Sequence, residues 1–162
     1  MTAPGPASGP ASLRLCVRRR RVPSASGATV TVSLRVPSDV NCIEEVIDLL
    51  TRHCCSESWL CRKSRFNFRV AMAEALANAI VAGNREDLSK YVKVEAQVCC
   101  DRLQVEVTDQ GAGFDPATVA SPLDPEELDS PNGRGLFLIR HLVDDVRFNS
   151  QGNSICMTLR RH

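Results

Sequence analysis

The chain has 162 residues, an apolar fraction of 43% and a formal charge of +1. That is enough for one domain with one core, and the balance of charge excludes a whole-molecule field that would draw the protein to nucleic acid. No apolar stretch reaches spanning length, and the start Met-Thr-Ala-Pro-Gly-Pro lacks the basic lead and apolar run of a secretory signal, so a soluble cytoplasmic protein without membrane contact is expected.

Residues 1 to 28 are rich in Pro, Gly, Ala and Ser and carry four consecutive arginines, Arg18 to Arg21, with no periodicity. This reads as a disordered tail preceding a folded domain over 29–162, and its arginines as a solvated charge run. The functional alternative is a weak tether to an acidic partner or to nucleic acid.

From Thr29 to Val36 the alternation of Val30, Val32, Leu34 and Val36 predicts a strand with one buried face. Pro37-Ser38-Asp39 breaks it and offers an N-cap to a helix over about Val40 to Cys54, with Ile43, Val46, Ile47 and Leu50 inward. The eight cysteines include no Cys-x-x-Cys pair. Cys54, Cys55 and Cys61 beside His53 form the one cluster that could suggest a metal, although cysteine also serves as a small buried hydrophobe.

Residues 66–84 read as one amphipathic helix, with Phe66, Val70, Ala73, Ala77 and Ile80 at helical spacing and Gly83 as its stop. Glu74 and Asn78, four apart, stack on one face beside the apolar stripe. Such a pair suits a cavity holding something polar: a magnesium ion would accept the amide oxygen, and the glutamate could take a proton from a hydroxyl. The plainer reading is two half-solvated positions on a core helix.

Two strands follow, Tyr91 to Cys100 and Leu103 to Asp109, turning at Asp101-Arg102. The second runs into Asp109-Gln110-Gly111-Ala112-Gly113-Phe114-Asp115, where alternate glycines let the backbone turn sharply and approach a ligand. An aspartate there can accept a hydrogen bond from an exocyclic amine, though a tight turn uses the same residues. Residues 116 to 132, with four prolines among several acids, are too broken for regular structure beyond a turn at Pro125 to Leu128, and read as a lid. Gly133-Arg134-Gly135-Leu136 then leads into a helix through Phe137, Leu138, Ile139, Leu142 and Val143. Glycine-rich backbone feeding a helix N-terminus is an anion site, and Arg134 adds positive charge. Strands over Asp145 to Asn149 and Ser154 to Arg160 end the sheet.

Taken in order, an acid and an amide on a helix, Asp-x-Gly-x-Gly after a strand and Gly-x-Gly before a helix resemble the GHKL ATP-binding superfamily, with its Bergerat fold. The strings Glu-Ala-Leu-Ala-Asn-Ala-Ile-x-x-Gly-Asn at 74–84 and Gly-Arg-Gly-Leu-Phe-Leu-Ile-Arg at 133–140 are similar to the stand-alone anti-sigma-factor serine/threonine kinases of the RsbW and SpoIIAB kind. The resemblance implies an α+β, two-layer sandwich: a mixed, mostly antiparallel sheet with helices on one face. It implies ATP and Mg2+, with Asn78 on the metal, Glu74 as general base and Asp109 on the adenine amine. Gly111 and Gly113 would leave room for base and ribose, Gly133, Arg134, Gly135 and Leu136 would wrap the phosphates, and Ser154 would stand near the adenine.

The implied partners are a small anti-anti-sigma protein of STAS type, phosphorylated by the enzyme, and a sigma factor, with homodimerisation left open. Two departures bear on phosphotransfer more than on nucleotide binding: Ala82 where the family commonly has histidine, and Pro131-Asn132 where some kinases place an arginine. They motivate the alternative of a nucleotide-gated protein that binds a regulator without phosphorylating it. A histidine-kinase catalytic domain or a gyrase-type ATPase would need an accompanying dimerisation or transducer domain.

Overall fold

A computed structural model describes residues 16–24, 27–55, 60–116 and 131–161. Six strands form one sheet: β1 Cys16–Ser24, β2 Gly27–Pro37, β3 Tyr91–Val98, β4 Arg102–Thr108, β5 Asp145–Phe148 and β6 Ser154–Arg160. The spatial order is β1-β2-β3-β4-β6-β5, and each of the five neighbouring pairs is antiparallel. A 3-10 turn, Val40–Cys42, leads into α1 Ile43–Cys54. Helix α2 spans Arg62–Ala77 and continues as a π-helical turn, Asn78–Gly83, and α3 spans Pro131–Leu142.

Registers explain the layering. Leu34 sits opposite Val94, Val94 opposite Val107 and Val107 opposite Ile155, so period-two alternation in four strands puts their valines, leucines and isoleucine on one face. Leu34, Val94, Val107 and Ile155 are buried, whereas Arg35, Lys93 and Glu106 on the other face are exposed. Helices cover the apolar face, with α1 against β2 and β3 and α2 against β6 and α3. The α+β two-layer architecture is the expected one.

Residues 16–24 depart from the expectation of a disordered tail, because they pair with β2 along the whole strand, from Cys16 opposite Arg35 to Ser24 opposite Gly27. The arginine run lacked apolar alternation because an edge strand with every residue from 16 to 23 exposed has no face to bury. The remainder of the predicted tail, 1–15, and the turn predicted at 125–128 lie outside the described residues.

The central helix is buried in a different phase from the one its sequence suggested. Phe68, Ala71, Met72, Ala75, Leu76, Ala79 and Ile80 face the core, while Phe66 is 63% exposed. Alanines at 71, 73, 75, 77 and 79 allow either stripe, and packing of the larger Phe68, Met72 and Leu76 decides between them. The helix does end at Gly83, as expected, although without a left-handed glycine. The left-handed residues that follow it are Arg85 (φ 56°) and Glu86 (φ 53°).

The thiols are all free. Burial pushes Cys54 and Cys55 up to about 12, as expected of core hydrophobes and contrary to thiolate ligands. Cys61 is exposed and caps α2, its Sγ accepting from Ser64 N at 3.5 Å. Among the described residues no group of three or more His, Cys, Asp or Glu could hold a metal, and no helix is long and apolar enough to cross a membrane.

The helix phase has a direct test in paired substitutions. Phe68→Ala is expected to lose about 3–5 kcal/mol in urea denaturation, as for a large core side chain, and Phe66→Ala about 0.5 kcal/mol or less, as for a surface position. Comparable losses would show that the phase is wrong.

Candidate nucleotide site

The polar residues singled out on α2 stand where that helix meets α3. Glu74 and Asn78 are half-buried, and neither side chain has a hydrogen-bond partner among the described residues. They face Gly135, where an added Cβ would lie 2.8 Å from Glu74 Oε2 and 3.3 Å from Asn78 Nδ2. A side chain at 135 would therefore collide with the carboxylate and crowd the amide.

The Gly-Arg-Gly box does not precede α3 as a loop. It belongs to the first turns of that helix, which begins at Pro131. Proline suits the first helical position, with its fixed φ and missing donor. Two helical glycines cost about 1 kcal/mol each relative to alanine, a cost offset by the close packing of Gly135 on α2. Arg134 is exposed, and Leu136 packs partly against the core. What the box contributes is a helix N-terminus, with the positive end of its dipole, beside Glu74 and Asn78.

Asp109 stands at the far end of the helix that carries Glu74 and Asn78, against Gly83. It follows β4 and faces the helical layer, pressed against Gly83 so closely that a Cβ at 83 would collide with its carboxyl group. Gly111 is held as tightly: a Cβ there would meet the Gly83 carbonyl oxygen and Asp109 Oδ1. Oδ1 accepts from Gly111 N at 2.7 Å, while Oδ2 accepts from no described residue. Burial raises the Asp109 carboxyl above its ordinary range, opposed in part by the Gly111 donation. From Glu74 through Asn78 to Gly83, the one helix carries the acid, the amide and the contact with Asp109.

Gly113 (φ 75°) and Gly152 (φ 73°) interlock the two loops flanking Asp109. A Cβ on Gly113 would strike the Gln151 carbonyl, and one on Gly152 the Phe114 carbonyl. Phe114 also meets Phe148 edge to face, 5.4 Å between centroids.

Ser154 does not join this pocket. It pairs with Thr108, and its hydroxyl lies 2.7 Å from Thr108 Oγ1 and donates to Glu106 Oε1 at 2.8 Å, on the face away from the helices. Its neighbour Asn153 is next to Asp109 instead, donating from Nδ2 to the Asp109 carbonyl at 2.9 Å and accepting from Asp109 N at its own carbonyl. The signal was in the sequence: Ile155, Met157 and Leu159 alternate inward, which puts 154 outward.

A second residue that sequence reasoning passed over is Asn84. It is fully buried, donates to Ser38 Oγ at 2.8 Å and the Tyr91 carbonyl at 3.0 Å, and accepts from Gln110 N at 2.7 Å. Ser38 in turn donates to the Lys90 carbonyl. One amide thus ties the end of the π turn to β2, to β3 and to the loop carrying Asp109.

The lid expected over 116–132 falls almost wholly outside the described residues. Residues 36–159 match the histidine kinase-like ATPase domain. The chain belongs to that family. Curated proteins with similar sequences include the serine-protein kinase RsbW of Listeria innocua, 31% identical in an alignment of 99 positions that covers 57% of this chain and 63% of the relative. Similar too are RsbW of Bacillus mycoides, at 29% over 57% of this chain and 61% of the relative, and RsbW of Listeria monocytogenes, at 31% over 57% and 63%. The alignment covers less than two thirds of each of these kinases.

Two outcomes follow from the burial of Asp109 and Asn84. With its carboxyl raised, the folded protein holds the Asp109 proton more tightly than the unfolded chain does. Its contribution to stability is therefore present in acid and lost as pH rises from the ordinary carboxylate range through the folded value. Asp109→Asn should melt higher than the parent at neutral pH, with the gap closing towards about pH 3, and thermal melts across that range check it. Asn84→Ala should destabilise by about 1–3 kcal/mol for each buried group it orphans, well beyond Ser38→Ala, when both are compared by chemical denaturation.

Proposed function

We propose that the chain binds ATP with magnesium between α2, the Asp109 loop and the start of α3, and transfers the terminal phosphoryl group to a serine or threonine of a small anti-anti-sigma protein of STAS type. The observation carrying this reading is the half-buried Glu74–Asn78 pair, which has no side-chain partner among the described residues and faces a helix N-terminus across Gly135. Leaving a carboxylate and an amide in such a place is costly unless a polar ligand completes them.

The donor set suits that ligand. Among the described residues no cluster of acids or histidines would bind a bare cation, so the metal would come with the phosphates and take its protein ligand from the Asn78 amide oxygen. When bound, Mg-ATP supplies the phosphoryl group and neutralises its charge. Asp109 accepts the adenine amine through Oδ2, the oxygen that Gly111 leaves open, with Gly111 and Gly113 keeping side chains out of the base and ribose space. Gly133, Gly135 and the backbone at Leu136 would lie near the phosphates through the start of α3, with the positive charge of Arg134 on the same turn.

Glu74 is placed to take the proton of the attacking hydroxyl. The hydroxyl oxygen bonds to phosphorus as the bridge to the departing diphosphate breaks, a reaction that needs positioning and electrostatics more than covalent help from the protein. Support for the kinase reading comes from the likeness to proteins named serine-protein kinase RsbW; the cytoplasmic setting and the exchange between the anti-anti-sigma protein and a sigma factor rest on the motif resemblance at 74–84 and 133–140. The alternative of regulator binding without phosphotransfer draws on Ala82, which leaves the exposed end of the central helix without an imidazole.

Glu74→Gln separates the two. It should keep ATP affinity within about threefold and lower phosphotransfer to the cognate partner by roughly 10²–10⁴-fold, the usual range for a lost general base. Calorimetry with Mg-ATP and a radiolabel transfer assay read the two effects. A parent protein that takes up ATP, forms a nucleotide-dependent complex and transfers no label would leave only the binding function.

A further inference from the structure

Strand β1 lies outside residues 36–159, the segment matched to the family, and forms one edge of the sheet. Its inner side pairs with β2, and its outer side has no neighbouring strand among the described residues. Such an edge is a row of backbone donors and acceptors open to another strand. Four arginines occupy its middle, all exposed. By register Arg18 and Arg20 share the solvated face with Ser33 and Thr31, and Arg19 and Arg21 lie on the helical side with Val32 and Val30. None of the four is in an ion pair with a described residue.

Positive charge continues past the end of the row. A cleft of about 390 Å³ opens beside Cys16, lined by Arg35 and Lys90 among others and by no carboxylate. Arg35 is held there by stacking on Tyr91, with its guanidinium 3.8 Å from the ring centroid. Three kinds of occupant could cover this edge. A second copy paired antiparallel about the middle of the run would put Arg18 opposite Arg21 and Arg19 opposite Arg20, which like-charge repulsion disfavours. Single-stranded nucleic acid would need stacking platforms, and β1 has no aromatic residue. An extended peptide bearing carboxylates satisfies both the backbone edge and the charge.

We propose that β1 docks an acidic, extended segment of another protein as an added strand, its Asp or Glu side chains against Arg18 to Arg21 and one carboxylate entering the cleft between Arg35 and Lys90. This inference is independent of nucleotide binding and of phosphotransfer. The test uses the full chain and a fluorescent peptide of nine residues, the length of β1, with alternating Glu and Val, read by anisotropy at low and physiological salt. Saturable binding is expected. It should weaken roughly tenfold in Arg18→Gln/Arg20→Gln and in Arg19→Gln/Arg21→Gln, a loss in keeping with a few surface ion pairs. It should weaken by about as much when the peptide's valines become prolines, which cannot donate to the edge. Because the proline peptide leaves the protein unaltered, a fold defect in the variants cannot imitate that result.

Equal binding of the proline and valine peptides would reduce the site to non-specific charge attraction and overturn strand addition. Tighter binding of a thymidine oligomer of equal charge would overturn the choice of partner. Absence of saturable binding would leave the arginines as guards against edge-to-edge aggregation and end the proposal.

Discussion

Side chains are excluded at three places around the central helix, and the positions of Glu74, Asn78 and Asp109 depend on that exclusion. At Gly83 and Gly111 the missing Cβ atoms let the helix end and the β4 loop close on Asp109, and at Gly135 the missing Cβ keeps α3 beside Glu74 and Asn78 without filling the space between them. None of the three needs a left-handed backbone, for the positive φ values belong to Gly27, Gly113 and Gly152 among the glycines. Their value is room. A methyl group at 83 would have to displace a carboxylate that burial has already made costly to ionise.

Close approach creates a second requirement, since ends of elements brought together in a dry place carry backbone groups that water no longer reaches. Asn84 meets much of it by satisfying the Tyr91 carbonyl, Gln110 N and the Ser38 hydroxyl from one buried position. Gln110 returns a contact to the same corner by accepting from Tyr91 N. The π turn belongs to the same solution. A wider turn over Asn78–Gly83 shifts the helix end relative to an uninterrupted α-helix, and such turns recur where a helix must place side chains for function. The polar site and the polar latch are thus next to each other along one stretch of chain, the former open to a ligand and the latter closed on the fold.

Much of this was legible in the sequence where one period had one answer. β2, β3 and β4 alternate apolar and polar residues over a half-buried sheet, and the structure returns them within a few residues of their predicted ends. Legibility failed where two answers fit. An alanine-rich helix with phenylalanines at 66 and 68 supports two stripes, and only the shape of the opposing surface selects Phe68. Glycine in a helix looks like glycine before one, so the Gly-Arg-Gly box was read as loop, although Pro131 was a fair signal for a helix start. β1 was missed for a physical reason of another kind: an exposed edge has no buried face, and its pairing with β2 is a backbone matter that side chains do not advertise.

The distribution of the family likeness over the sheet has a consequence for how the molecule can be regulated. The matched segment begins at Val36, at the end of β2, so Glu74, Asn78, Asp109 and Gly135 fall inside it and β1 falls outside. The two regions are nevertheless joined through few intermediates. Arg35 pairs with Cys16 across the β1–β2 register and stacks on Tyr91, whose carbonyl is held by Asn84, and Asn84 holds Gln110, the residue after Asp109. Tyr91 thus reaches the Asp109 loop twice, directly through Gln110 Oε1 and by way of Asn84. Coupling carried by these contacts would run equally in both directions, because coupling between two binding sites is reciprocal in free energy.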